Sequence, residues 1–228
     1  MHFADSRRAP GPTRQDDAVT GTPPARDFGL GRGKVFPAEQ ASSLLNPLRR
    51  LVQSPRRTVA AMGLAPNAEV LEVGSGPGFF SPLIARAVPT GRLVLVDLQA
   101  EMLFAARARL GAFATISCTQ GDACALPIFS GRFDAVLLAT MLGEVPDPGQ
   151  CVEEVRRVLR PGGTVSIAET RRDSDFIPLA SLRALLERHG FTFVERRGMA
   201  WQYVATFRKS TGAPDPPSDP PVRPARPA

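Results

Sequence analysis

Val70-Leu-Glu-Val-Gly-Ser-Gly-Pro-Gly-Phe-Phe-Ser81 reads as a buried strand, a tight glycine turn and the start of a helix. Val70, Leu71 and Val73 form the short apolar run expected of a central parallel strand covered on both faces. Gly74, Gly76 and Gly78 follow at alternate positions, with Ser75 between the first two. Glycine accepts positive φ and lets another molecule approach the backbone closely. Phe79, Phe80, Leu83, Ile84 and Ala87 then recur at helical spacing. The first amides of such a helix have no partner within it and can point at a ligand.

Several nucleotide binders share a glycine turn between strand and helix, so its details decide. The dinucleotide fingerprint is G-x-G-x-x-G; here the glycines run G-x-G-x-G, and Phe79 stands where the last dinucleotide glycine would sit. A phosphate-binding P-loop is excluded, because no Gly-Lys-Ser/Thr follows. Glu72 puts a carboxylate at the carboxyl end of the strand. It would repel a pyrophosphate and attract an ammonium or a sulfonium.

On Glu72-Val-Gly-Ser-Gly-Pro-Gly78 the chain resembles the class I S-adenosylmethionine-dependent methyltransferases. Specifically, it resembles the small methyltransferase-domain group that includes quinone C-methylases. The resemblance covers roughly Ala68 to Lys209 and implies S-adenosyl-L-methionine as cofactor. It implies that Gly74, Ser75, Gly76 and Gly78 bind that cofactor and that Glu72 serves its methionine end, directly or through water.

Downstream elements follow the same scheme. Gly91-Arg-Leu-Val-Leu-Val-Asp97 is a second strand ending in an acid, nineteen positions after Gly78. A carboxylate there can accept from both ribose hydroxyls, with Leu98 beside it, and serves a nicotinamide cofactor equally well. Residues 114–123 form the third strand and its exit. The resemblance gives Asp122 the adenine amino group and the Ala123 amide a ring nitrogen. Arg132-Phe-Asp-Ala-Val-Leu-Leu138 is the fourth strand; by resemblance the Ala139 carbonyl lies near the methionine ammonium, and the residues after it face the acceptor. Many relatives carry a histidine in that segment; this chain has Gly143 and Glu144. Glu144 is therefore the candidate for orienting or deprotonating the acceptor, against the plainer reading of a solvated loop acid.

Residues 148–159 read as a helix and Arg160-Pro-Gly-Gly163 as a turn into a fifth strand, Thr164–Ala168. Glu169, Thr170, Arg171 and Arg172 follow at its carboxyl end, beside the acceptor pocket the resemblance implies. A helix over Leu179–Arg188 precedes two alternating segments, Phe191–Glu195 and Trp201–Phe207, that read as an antiparallel pair. His189 reads as a helix-end residue favoured by the dipole rather than as a base. The expected fold is α/β and Rossmann-like: a mostly parallel seven-stranded sheet, helices on both faces, a C-terminal hairpin.

Residues 1–33 and 210–228 are rich in proline, arginine and small polar residues and read as disordered tails. Between them lies one domain, 34–209, with a helical cap over 34–62 and the core over 68–209. Pro37 suits a first helical turn, whereas Pro47 and Pro55 break or restart the helices of the cap. The net charge of +6 is spread evenly between tails and body, with no basic stripe interleaved with aromatics, so nucleic acid is not an expected partner. No apolar run approaches the length of a membrane span, the N-terminal residues lack an apolar leader core, and Cys118, Cys124 and Cys151 lack metal-ligand spacing. The expectation is a metal-free cytoplasmic enzyme with a small-molecule acceptor and reduced thiols; its oligomeric state is not legible. Two alternatives stand beside it: a non-catalytic S-adenosylmethionine-binding subunit, and a nicotinamide-dependent oxidoreductase, which the glycine spacing disfavours.

Overall fold

The computed structural model describes Pro37 and residues 40–46, 53–111 and 113–211. The tail read at 1–33, the tail read at 210–228 from residue 212 on, Pro47 and much of the cap lie outside the described residues. Within them, two helices precede the sheet: α1 (Ala41–Leu44) and α2 (Pro55–Met62). Pro55 does restart a helix. It occupies the first turn, where its missing N–H costs nothing, and Ser54 Oγ accepts from the Arg57 amide.

Strands and helices then alternate: β1 (Glu69–Val73), α3 (Ser81–Ala87), β2 (Arg92–Asp97), α4 (Ala100–Leu110), β3 (Ile116–Gln120), β4 (Phe133–Ala139), α5 (Pro148–Val158), β5 (Leu159–Thr170), α6 (Leu179–Arg188), β6 (Phe191–Met199) and β7 (Gln202–Lys209). They form one seven-stranded sheet in the order β3-β2-β1-β4-β5-β7-β6. The first five strands pair in parallel; β7 runs antiparallel to both β5 and β6. The chain leaves β1 toward β2 and β3, then returns to its other side with β4. That reversal opens a crevice at the carboxyl ends of β1 and β4, where ligands bind in open α/β sheets.

Strand alternation sorts the core into two layers. Leu71, Val73, Val136 and Leu138 pack toward α5 and α6, with Cys151, Val152, Val155 and Leu186. Val70, Leu93, Leu95 and Leu137 pack toward α2, α3 and α4, with Met62, Phe80, Ile84 and Ala106. Truncating a fully buried leucine such as Leu71 or Leu137 to alanine would cost roughly 2–5 kcal/mol. Glu72 shares the second face, so its carboxylate is directed into that layer rather than into solvent.

One local expectation is corrected. Arg160–Gly163 is not a turn ahead of the fifth strand, because β5 starts at Leu159 and runs through it. Phe133 faces Leu159, but Ala135 faces Thr164, so a bulge absorbs the Pro-Gly-Gly residues. Gly162 takes φ +74 there, and Nζ of the buried Lys209 donates to the Leu159 carbonyl at 2.8 Å.

Candidate active site

The glycine turn closes on itself. Gly74, Gly76 and Gly78 all adopt positive φ. The Gly74 and Ser75 amides both donate to the Val96 carbonyl, at 2.8 and 3.2 Å, and the Gly78 amide donates to Ser75. The Gly76 amide donates to Asp97 Oδ2 at 2.7 Å. Four N–H groups of the turn are thus spent within the protein. A pyrophosphate would find few donors here. Gly74 also has no room for a side chain, since a Cβ would lie 2.9 Å from Met141 Cγ.

Two carboxylates frame the turn. Glu72 is 2% exposed, and its Oε2 accepts from Ser81 Oγ at 2.6 Å. Burial pushes its pKa up to about 8, against the Ser81 hydrogen bond and with a smaller push from Asp97. Burial thus favours the protonated form of Glu72 at neutral pH, and a nearby cation would favour its ionisation. Asp97 accepts from the Gly76 amide through Oδ2 and from the Gln99 amide through Oδ1, at 3.0 Å. Burial raises its pKa, and those amide bonds oppose the rise. Each carboxylate oxygen can accept more than once, so the bonds orient Asp97 without exhausting it. Leu98, next in the chain, is 39% exposed.

The remaining sequence candidates fall along the same edge of the sheet. Asp122 Oδ1 accepts from the Cys124 amide at 2.8 Å, and Asp122 bridges to Ala125. Ala123 is buried beside it. Arg157 holds this loop from below, donating to the Leu126 and Ile128 carbonyls, and Glu154 Oε2 accepts from the Leu126 amide. Ala139 ends β4 opposite Ala168. Thr140 follows with φ +49, a conformation uncommon outside glycine, and its amide donates to the Ala168 carbonyl. This local strain lies where β4 meets the crevice.

Glu144 belongs to a different group. Its carboxylate and those of Asp173 and Asp175 lie within 4.8 Å of one another, all half-buried. Behind them is Glu169, 2% exposed, which the sequence reading named only as a neighbour of the pocket. Its Oε2 accepts from the Ile177 amide, while Oε1 has no partner. Burial first, and then the carboxylates of Asp173, Glu144 and Asp175, push its pKa up to about 8. Gln53, which the sequence reading passed over, is 3% exposed, and neither of its amide atoms has a partner among the described residues. Gln53 and Glu169 line one cavity of about 310 Å³ between α2, the end of β5 and the β6–β7 hairpin. His189 caps α6, with Nδ1 3.4 Å from Glu153. It is a helix-end residue, as read.

Residues 71–167 match the family described as a methyltransferase domain. Over that stretch the chain is similar to a methyltransferase domain. Its glycine turn, Asp97 and the β4 edge all fall inside that match. The chain is 37% identical over 118 residues to the ubiquinone/menaquinone biosynthesis C-methyltransferase of Hahella chejuensis, covering 50% of this chain and 47% of that one. It is 33% identical over 156 residues to an uncharacterised protein of a Streptomyces fradiae transposon, covering 67% of this chain and 45% of that one. The chain thus spans about half the length of the curated relatives it matches. A solved S-adenosylmethionine-dependent methyltransferase from Aquifex aeolicus superposes with a TM-score of 0.68 at 20% identity, over 76% of this chain and 98% of that one. The likeness to quinone C-methylases read from the motif stands, and the fold is that of the solved methyltransferase.

S-adenosyl-L-methionine is the cofactor this domain implies, and the residues fit it. The methyltransferase turn offers carboxylates and carbonyls rather than free amides. Such a set suits a cationic amino acid and a pair of ribose hydroxyls, and not a polyanion.

Proposed function

We propose that the chain is an S-adenosylmethionine-dependent methyltransferase that moves a methyl group from the sulfonium to a small-molecule acceptor. The observation that carries this reading is the inward-folded glycine turn with Glu72 and Asp97 around it. Asp97, already oriented by two amides, would hold the ribose hydroxyls. Asp122 and the Ala123 amide would take the adenine edge. Glu72 and the Ala139 carbonyl would face the methionine ammonium, directly or through water. Gly74, Ser75, Gly76, Gly78 and Leu98 would shape the walls.

The bound cofactor supplies a methyl already activated by positive sulfur, so the protein's chief task is alignment of the acceptor. Acceptor-side residues follow Ala139 and Ala168, adjacent at the carboxyl ends of β4 and β5. Glu144 is half-buried beside Asp173 and Asp175, and we retain it as an acceptor-orienting candidate. No described helix is long and apolar enough to cross a membrane. We place the reaction in the cytoplasm, which three free cysteines support.

Calorimetric titration with S-adenosylmethionine, S-adenosylhomocysteine, NAD and NADP tests this reading. Selective binding of the two sulfur nucleotides, weakened by Asp97→Ala, is the expected result. Binding of a nicotinamide cofactor instead would overturn it.

A further inference from the structure

The cavity beneath α2 has the features of a built site. Gln53 is buried with an unpartnered donor, Nε2, and an unpartnered acceptor, Oε1. Glu169 contributes Oε1, also unpartnered, while its other oxygen is fixed by the Ile177 amide. Ala60, Ala168 and Val204 supply apolar wall between these groups and the rim. Arg57, on the exposed face of α2, lines the same cavity, as does Arg197, which is paired with Glu195. The volume of about 310 Å³ lies at the small end of ligand pockets, roughly 300–1,000 Å³. Ala168 faces Ala139, and Leu138 faces Val73, so the cavity wall stands two strands from the glycine turn, about 10 Å away.

We propose that this cavity is the acceptor site and that it takes a small hydroxylated carboxylic acid, its hydroxyl held between Gln53 and Glu169. This rests on the methyltransferase reading above. A hydroxyl is a single group that both accepts, from Gln53 Nε2, and donates, to Glu169 Oε1 or Gln53 Oε1. Arg57 meets the carboxylate at the rim. Glu169 is a catalytic residue in this arrangement. In its ionised form, which grows in as pH rises toward 8, its Oε1 takes the hydroxyl proton and the electron pair stays on the acceptor oxygen. That oxygen bonds the methyl carbon while the carbon–sulfur pair leaves with sulfur as a neutral thioether. The charged and titratable groups around Glu169 are Glu144 after β4, Asp173 and Asp175 after β5, Tyr203 on β7, Arg57 on α2 and Arg197 on β6. The acidic majority lets Glu169 hold the proton it receives.

The test uses 4-hydroxybenzoate, with benzoate as the probe lacking the hydroxyl, titrated without nucleotide into wild type, Gln53→Leu and Glu169→Gln. S-adenosylhomocysteine affinity is measured separately and reports that each variant is folded. Wild type should prefer hydroxybenzoate by about tenfold or more. Gln53→Leu should abolish that preference, with S-adenosylhomocysteine binding held within about twofold. Hydroxybenzoate affinity should change with pH near 8 in wild type and lose that transition in Glu169→Gln. Equal binding of the two probes, no binding of hydroxybenzoate, or an unchanged preference in Gln53→Leu overturns the proposal. Selective hydroxybenzoate binding in a protein that never binds S-adenosylhomocysteine breaks the methyl-transfer reading. It also overturns the acceptor role, leaving a ligand site of another kind.

Discussion

At the ends of β1 and β2, the Gly74, Ser75, Gly76 and Gly78 amides, both Asp97 oxygens and Glu72 Oε2 all have protein partners. Around α2 and the end of β5, Gln53 Nε2 and Oε1, Glu169 Oε1 and Thr170 Oγ1 are buried with none among the described residues. These regions flank one crevice and share one sheet, yet only the first is internally complete. A complete region holds its shape before any ligand arrives, which suits a site that takes the same cofactor each turn. Orphaned buried groups each cost about 1–3 kcal/mol relative to a satisfied one. Such a cost persists where a ligand recovers it, and the cavity lies there.

The largest expected effect is on the complete side. Asp97→Ala removes the carboxylate and strands the Gly76 and Gln99 amides. S-adenosylhomocysteine affinity should fall roughly 100-fold, from two lost charge-assisted bonds and a loosened turn. The alanine variant should also unfold at lower denaturant. A variant that binds within a few-fold of wild type would show that the turn does not depend on Asp97.

Titration separates the regions next. Glu72 and Glu169 both hold their protons to about pH 8, against an ordinary 4.5. Between those values the unfolded chain has released protons that the folded chain keeps. Folding stability therefore falls as pH rises from about 4.5 to 8 and levels off above. Each group's share is on the order of a few kcal/mol, less for Glu169 after allowance for solvent near the cavity. Glu72→Gln and Glu169→Gln should each flatten the curve, measured by denaturant melts across this range. S-adenosylmethionine should flatten the slope's Glu72 part only, by drawing that carboxyl into its charged form. A curve unchanged in Glu72→Gln would mean the carboxyl is already ionised in the empty turn.

Gly74→Ala probes the turn's geometry. Positive φ and the 2.9 Å approach to Met141 Cγ both oppose a methyl there. The variant should lose about 1–3 kcal/mol of stability. Adding Met141→Ala should recover the steric part and leave the backbone part, so the double variant falls between the single variant and the Met141→Ala parent.

Much of the complete side was legible in the sequence, for a physical reason. Its residues are local: one strand, one turn and the acid closing the next strand, all set by short-range backbone geometry. The alternation of strands and helices likewise gave the sheet and the late antiparallel pair. The inward fold of the turn amides was not legible, because the Val96 carbonyl that takes two of them lies on a neighbouring strand. The bulge in β5 was missed because Pro-Gly-Gly reads as a turn, and only pairing with β4 shows the strand passing through it. The cavity was the least legible. Gln53 and Glu169 are separated by more than half the chain, and each alone is an ordinary polar residue at an element's end. Their burial follows from docking α2 on β5 and β7, and the carboxylates of Asp173 and Asp175 lie beside Glu144 because β5 pairs with β4. No spacing encodes that docking.

The smallest expected effect compares two buried hydroxyls. Ser81 Oγ donates to Glu72 at 2.6 Å; Thr170 Oγ1 has no partner. Ser81→Ala leaves a buried carboxyl short of its partner and should cost about 1–2 kcal/mol, with the Glu72 pKa rising further. Thr170→Val keeps the shape and exchanges an unpaired hydroxyl for a methyl, removing a desolvation cost without removing a bond. It should be neutral or stabilise by up to about 1 kcal/mol, read in parallel denaturant melts. The signs matter more than the sizes. If Thr170→Val also destabilises, its hydroxyl has a partner in solution, such as an ordered water. The contrast between a closed cofactor edge and an open acceptor edge would then narrow to Gln53 and Glu169.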